Sequence, residues 1–382
     1  MHLSTKHLGV LLGVVAATSA EIASQEFLQD IDTYARYAAF GYCDNLTDGK
    51  DINSGTKVCP SDGGIPHGCG QLADSVVVME FPSAEGVSGF VAVNDEKKQI
   101  VVSFRGTGSA KDAITDLKTC KTRSGRSFWD FVSNVAQKVG DEINKHTRNT
   151  IVNIVGAACS LVGESQPDNS DALLPLCQDC RLHTGFFEGF KGIKNKMLTT
   201  VQQQKTAHPD FQVVVTGYSL GAAVATLSAA YLRKATFELD LYTYGSPRVG
   251  DAKFAEFVTN QGHGKNFRIT NANDPVTNVP WADPDFAHVS PEYWFPKGIA
   301  TKEMQVCNGV SNLGCSGQFD FKVQDVTLGK ERMKPHLWPN YAVGFPFTGA
   351  TACPGRGGRE LDDVPFTPEE IAEMKRLADQ SN

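Results

Sequence analysis

The sequence has little that would let it live in a membrane or on a nucleic acid. A bilayer span needs about 20 predominantly apolar residues, and the longest such run, Leu8–Ala17, falls well short. Basic residues are in deficit: 36 Lys and Arg stand against 43 Asp and Glu, for a net charge of −7. Nowhere do they cluster into the electrostatic footprint that a polyanion requires, so a nucleic-acid partner is excluded. There is no internal repeat and no low-complexity block, which excludes solenoids and disordered tails as the main architecture. No second cysteine pair or histidine cluster completes a zinc site around "CQDC" (177–180), so neither a metal nor any other cofactor is expected.

What is present begins with a leader. In "MHLSTKHLGVLLGVVAATSA", Lys6 and two histidines precede the short apolar run, which ends in small residues up to Ala20. That is the three-part form of a secretory signal over residues 1–20, with cleavage expected before Glu21. All ten cysteines follow it, an even number in a chain expected to be secreted, so disulfides are the default. Spacing suggests local pairs, Cys59 with Cys69, Cys177 with Cys180 and Cys307 with Cys315. Cys43 and Cys353 stand near the two ends of the region of regular pattern, and Cys120 and Cys159 remain to pin the segment between them. "NLT" at Asn45 is the one acceptor site for an N-linked glycan.

Along the chain, "FVAVND" (90–95) and "QIVVSFRG" (99–106) read as a hairpin of buried strands. "FQVVVTG", "DLYTYG" and "NFRITNAND" follow at wide intervals, with helical patterns such as "AAVATLSAAYLRKA" and "DAKFAEFVTNQ" between them. Strands alternating with helices predict a mostly parallel α/β sheet covered on both faces. Ligands then bind beyond the carboxyl ends of the strands. One domain is expected over residues 21–353. Between about 120 and 180 an inserted helical pair interrupts the rhythm, with Phe128, Phe131, Val132 and Val135 on one helical face and Ile151, Ile154 and Val155 on another. Residues 354–382 form a C-terminal extension with Thr367 as N-cap and Pro368 at the first helical position.

The chemistry centres on "VVVTGYSLGAAVATL". A serine on a sharp strand-to-helix turn, with glycine two positions away on either side, has its Oγ exposed at the sheet edge; Ser219 reads as a nucleophile. The competing reading, a tight structural turn, does not require this flanking pattern. The N–H of Leu220, at the start of the helix, points at the attacked carbonyl oxygen. A second donor is expected from the loop after an early strand, and "VVSFRGTGS" supplies Thr107. Arg105 is expected to be buried and paired, holding that loop. In this architecture the order is serine, acid, histidine. Asp274 stands where a strand ends before Pro275, which is expected to stop further regular structure; Asp283 and Asp285, in the proline-rich loop beyond, are alternatives. Among the histidines that follow, His336 in a proline-flanked loop is favoured over His288, and His183 reads as structural.

In this order, "VVSFRGT", "VTGYSLGAAVATL", "YTYGSPRVGD", "RITNANDPVTNVP", "SPEYW" and "PHLW" resemble the fungal class 3 lipases, the Rhizomucor–Thermomyces type of α/β-hydrolase. The resemblance spans about Phe27–Cys353 apart from the insertion. It implies a secreted triacylglycerol lipase working as a monomer on lipid at an oil–water interface. It also implies Ser219, Asp274 and His336 as the catalytic triad and Thr107 with Leu220 as the oxyanion hole. The family's disulfide between the chain ends matches Cys43–Cys353, and its short-loop bridges match Cys59–Cys69 and Cys177–Cys180. Two departures bear on substrate. The segment matching the family's lid helix, "GSAKDAITDL", carries mostly small side chains, so Phe128 and Trp129 of the insertion are candidates for the apolar cover. Tyr218 also replaces the histidine common before the nucleophile. A feruloyl or other cell-wall esterase with the same triad is the alternative activity; an inactive lipid-binding relative is the alternative outside catalysis.

Overall fold

In a computed structural model, residues 21–41, 56–57, 72, 74–81, 87–106, 162–163, 171–280, 286–310, 312–319, 333–337 and 340–341 are described. The leader, Asn45, Thr107, Asp283, Asp285, the helical pair of the insertion and the C-terminal extension lie outside them. So do Cys43, Cys59, Cys69, Cys120, Cys159 and Cys353.

Strands β1 (Glu21–Ile22), β2 (Thr56–Lys57), β3 (Ser75–Phe81), β4 (Gly89–Asn94), β5 (Gln99–Phe104), β8 (Gln212–Tyr218), β9 (Leu239–Tyr244), β11 (Asn266–Asn271), β13 (Glu292–Phe295) and β14 (Glu303–Cys307) form one sheet. Its order is β1-β14-β13-β11-β9-β8-β5-β4-β3-β2. The pairings β5–β8, β8–β9, β9–β11 and β11–β13 are parallel, and those toward either edge are antiparallel. The expectation of a mostly parallel sheet therefore holds for the centre only, and the sheet as a whole is mixed. Connection length explains the difference. The turn at Asp95–Lys98 joins β4 directly to β5, as predicted for that hairpin, whereas parallel neighbours need a long crossover. The burial patterns follow. Central β8 is buried at every position after the first, while β3, nearer the edge, alternates buried and half-buried residues.

Helix α1 (Gln25–Phe40) covers one face and α2 (Thr184–Ala207), α3 (Leu220–Lys234) and α4 (Ala252–Asn260) the other. Ser24 caps α1, its Oγ accepting the Phe27 N–H at 3.2 Å. Helix α3 is buried from Gly221 to Arg233. A helix enclosed on all sides is mostly apolar. Its buried Thr226 and Arg233 hydrogen-bond to the Ala222 carbonyl and the Asn266 side chain, and its alanines let it lie close against β8 and β9. No helix among the described residues is long and apolar enough to cross a membrane.

A second, smaller sheet was not foreseen. Its order is β12 (Phe286–Ala287), β10 (Gly250–Asp251), β7 (Arg181–Leu182), β6 (Val162–Gly163). Each strand is only two residues long, below the length at which periodicity can be read. It joins Val162–Gly163 through Arg181–Leu182 to the body, where Leu176 and Cys180 join the main core. Asp171 in the same stretch accepts from the Tyr231 hydroxyl at 2.9 Å and pairs with the buried Lys194 ammonium. The Cys177–Cys180 and Cys307–Cys315 bridges both form.

Candidate active site

The carboxyl ends of β5, β8, β9 and β11 lie side by side, and the candidate residues leave from them. Between β8 and α3 a single residue, Ser219, reverses the chain, with φ 56° and ψ −126°. A non-glycine residue held there costs about 1–3 kcal/mol and persists only where its surroundings enforce it. Here the Ser219 N–H donates to the Tyr244 carbonyl at 2.9 Å. The two glycines are steric requirements. A Cβ at Gly217 would stand 2.3 Å from the Gly221 carbonyl oxygen, and one at Gly221 would stand 2.3 Å from that of Arg105. The chain leaving β5 therefore runs directly under the first turn of α3, and Thr107 follows two residues later. Leu220 is the first residue of α3, so its N–H has no acceptor within the helix.

Asp274 and His336 complete a chain of hydrogen bonds. Ser219 Oγ lies 2.9 Å from His336 Nε2, and His336 Nδ1 lies 2.8 Å from Asp274 Oδ2. A carboxylate accepts, so Nδ1 carries its proton and Nε2 is free to accept from the serine. All three residues are buried. Asp274 follows β11 and accepts the Val276 N–H on Oδ1 at 2.8 Å, capping a 3₁₀ turn over Pro275–Asn278. Pro275 thus starts a short helical turn instead of ending regular structure, because its missing N–H is no loss at a first helical position. The Tyr341 hydroxyl donates to Asp274 Oδ2 at 2.5 Å and accepts the Asn271 N–H at 3.2 Å. Burial and the neighbouring carboxylate push the Tyr341 phenol well above its ordinary pKa of 10, so it remains a donor.

His336 sits on a 3₁₀ turn over Lys334–His336 that other side chains hold in place. The Asn271 amide donates to the Pro335 carbonyl at 2.8 Å, and the Tyr218 hydroxyl donates to the His336 carbonyl at 2.5 Å. The Tyr218 ring also stacks on the imidazole, centroids 5.0 Å apart and planes 20° apart. Gly245, at φ 55°, leaves room behind the pair. A Cβ there would approach Asp274 Oδ2 to 2.8 Å and His336 Nδ1 to 3.0 Å.

A family model described as lipase (class 3) matches residues 101–283. The secreted mono- and diacylglycerol lipase 1 of Fusarium solani is 33% identical over 309 residues, which cover 79% of this chain and 74% of that protein. The chain belongs to the class 3 lipases. Among solved structures, the mono- and diacylglycerol lipase from Aspergillus oryzae superposes with a TM-score of 0.57 at 26% identity, covering 84% of this lipase and 98% of that chain. The triacylglyceride lipase of Rhizomucor miehei gives 0.57 at 23% identity, covering 78% and 92%. The fold of this lipase is that of an α/β-hydrolase.

The remaining candidates of the lipase fall elsewhere. His288 Nε2 donates to the Thr277 carbonyl at 2.6 Å, bracing the far side of the turn that Asp274 caps. Burial, and then the charges of Arg268 and Arg248, hold its imidazole well below the ordinary histidine pKa. His183 packs on Phe186 with ring centroids 4.2 Å apart, the structural role expected of it. Arg105, expected to be buried, is only half-buried as the first residue beyond β5, and its backbone N–H donates to the Ser88 carbonyl at 3.0 Å. Tyr341, Asn271 and Gly245 were missed from the sequence. Gly245 had a signal, a glycine directly after a strand in "YTYGSP". The other two are identified only by contacts between distant parts of the chain.

Proposed function

We propose that this lipase hydrolyses acylglycerol esters through an acyl-enzyme on Ser219. The observation that carries the reading is the unbroken path from Ser219 Oγ through His336 to Asp274, with contacts of 2.9 and 2.8 Å. Ser219 Oγ attacks the ester carbonyl carbon as its proton passes to His336 Nε2. The imidazolium that forms is oriented and stabilised by Asp274, itself held by Val276 and Tyr341. The carbonyl oxygen takes the negative charge and is met by the N–H groups of Leu220 and Thr107. When the tetrahedral intermediate collapses, the bond to the glycerol oxygen breaks and His336 returns its proton to that oxygen. Water then repeats the sequence on the acyl-enzyme, releasing the fatty acid and restoring Ser219. No cofactor enters any step.

The leader at residues 1–20 and the names of the relatives support secretion, and the substrate is an emulsified lipid met by a monomer at an oil–water interface. The choice of glyceride has two readings. The family resemblance favours triacylglycerol. The similarity to proteins named as mono- and diacylglycerol lipases favours partial glycerides. Initial rates on emulsified long-chain triacylglycerol, the matching diacylglycerol and methyl ferulate separate them. Turnover of either glyceride well above methyl ferulate is expected, and the ratio of the two selects the class. Activity on methyl ferulate alone would overturn the acylglycerol reading.

A further inference from the structure

A cavity of about 180 Å³ lies behind the Asp274 turn, under the loop closed by Cys307–Cys315. It is separate from the catalytic path, and its chemistry is unbalanced. Arg248 and Arg268 both line it, with Glu292 as the one carboxylate among the described lining residues. That carboxylate is already saturated. Its Oε2 accepts from Arg268 Nη2 at 2.8 Å, while Oε1 accepts from the Thr270 hydroxyl at 2.5 Å and from the Ser316 hydroxyl and N–H. His288, also in the wall, is held neutral and uses Nε2 on the Thr277 carbonyl.

Among the described residues one positive charge is therefore left over, and one donor with it. Arg268 is 6% exposed; its Nε donates to the Val289 carbonyl at 2.9 Å, but its Nη1 has no hydrogen-bond partner. A buried guanidinium N–H without an acceptor is costly, more so beside a second guanidinium. Arg248 spends Nη1 on the Pro280 carbonyl at 3.1 Å, and its pKa is lowered by burial and then by the Arg268 charge. An anion between the two would satisfy the donor and the charge together. The rest of the wall mixes the polar Thr277, Asn278, Asn312 and Ser316 with apolar residues. Phe286, Ala287 and Val310 line it, and Leu313 stands at the mouth 71% exposed. The volume is below the roughly 300–1,000 Å³ of sites for drug-sized ligands, so the occupant is small.

We propose that this cavity binds a short-chain monocarboxylate, its carboxylate on Arg268 Nη1 and Arg248 and its alkyl tail against Phe286, Val310 and Leu313. A carboxylate presents two acceptors at the spacing of the guanidinium donors. A simple inorganic anion would leave Phe286, Val310 and the exposed Leu313 without a role. Thr277 and Asn278, in the turn that Asp274 caps, form part of the same wall, so occupancy braces that turn. The inference does not depend on the proposed reaction.

Calorimetric titration of the full protein with hexanoate, inorganic phosphate and 1-hexanol tests it, alongside Arg248→Gln and Leu313→Glu. Saturable binding of hexanoate with a Kd on the order of 1 mM is expected, with a rise in Tm and with phosphate and hexanol at least tenfold weaker. Either substitution weakens hexanoate at least tenfold. Leu313 is exposed, so its variant keeps the test decisive should Arg248→Gln fail to fold. Absence of saturable binding, equal binding of phosphate, or titrations identical in wild type and the folded variants would overturn the proposal and leave a water-filled cavity.

Discussion

The two halves of the candidate site are built differently. The Ser219 half is held by main chain and sterics: a left-handed backbone conformation, a Tyr244 carbonyl, and two glycines whose replacement would drive a Cβ to 2.3 Å from a carbonyl oxygen. The Asp274–His336 half is held mainly by side chains that reach across the sheet edge, namely Tyr341, Asn271 and Tyr218. Steric positioning is all-or-none, because a backbone clash leaves no graded alternative. Positioning by hydrogen bonds is divisible, since each donor contributes about 1–3 kcal/mol and can be removed singly. The first half should therefore fail abruptly and the second by degrees.

The largest effect is expected from Ser219→Ala, which removes the proposed nucleophile while leaving the turn. The turnover number should fall by about four orders of magnitude or more, with Tm little changed, because a triad acts as a unit. Retention of a tenth of the activity would show that Ser219 is only a turn. Gly221→Ala should come next and strike the scaffold. Its Cβ meets the Arg105 and Phe104 carbonyls, so stability should drop by about 3 kcal/mol, the upper range for overpacking. A melting curve like that of the wild type would refute the steric account.

Tyr341→Phe should give the graded response of the other half. It deletes one donor to Asp274 Oδ2 and leaves the Val276 and His336 contacts, so kcat should fall about tenfold with KM unchanged, the worth of one charge-assisted hydrogen bond. A thousandfold loss would mean that this half, too, is all-or-none. The smallest effect concerns His288. Its folded pKa is depressed, so below about pH 6.5 the unfolded chain binds a proton that the folded chain does not. Stability is thus lost as pH falls from about 6.5, by up to about 1.4 kcal/mol per unit. His288→Gln should show a correspondingly shallower decline of Tm between pH 6.5 and 5, and an equal slope would remove His288 from that role.

The same division explains what was readable in the sequence. Sterics leave a local mark: glycines at fixed offsets around Ser219, a strand ending before Asp274, and strand order placing His336 last. Side-chain networks leave none. The Tyr341 hydroxyl and the Asp274 carboxylate are 67 positions apart, and nothing in "WPNYAV" distinguishes that tyrosine from a packing residue. The antiparallel margins of the sheet and its two-residue companions were hidden for a related reason. The centre advertises itself through long buried runs and intervening helices, whereas β7 and β10 are too short to carry a period.

Activation of Ser219 by His336, and not by His288, is the feature of the proposed site most open to direct test. Incubation with an organophosphonate ester, followed by peptide mass spectrometry, tests this on the intact protein. A single adduct on Ser219 is predicted, formed at near wild-type rate in His288→Ala and slowed by at least three orders of magnitude in His336→Ala. An adduct on another residue, or labelling slowed by His288→Ala and untouched by His336→Ala, would contradict it.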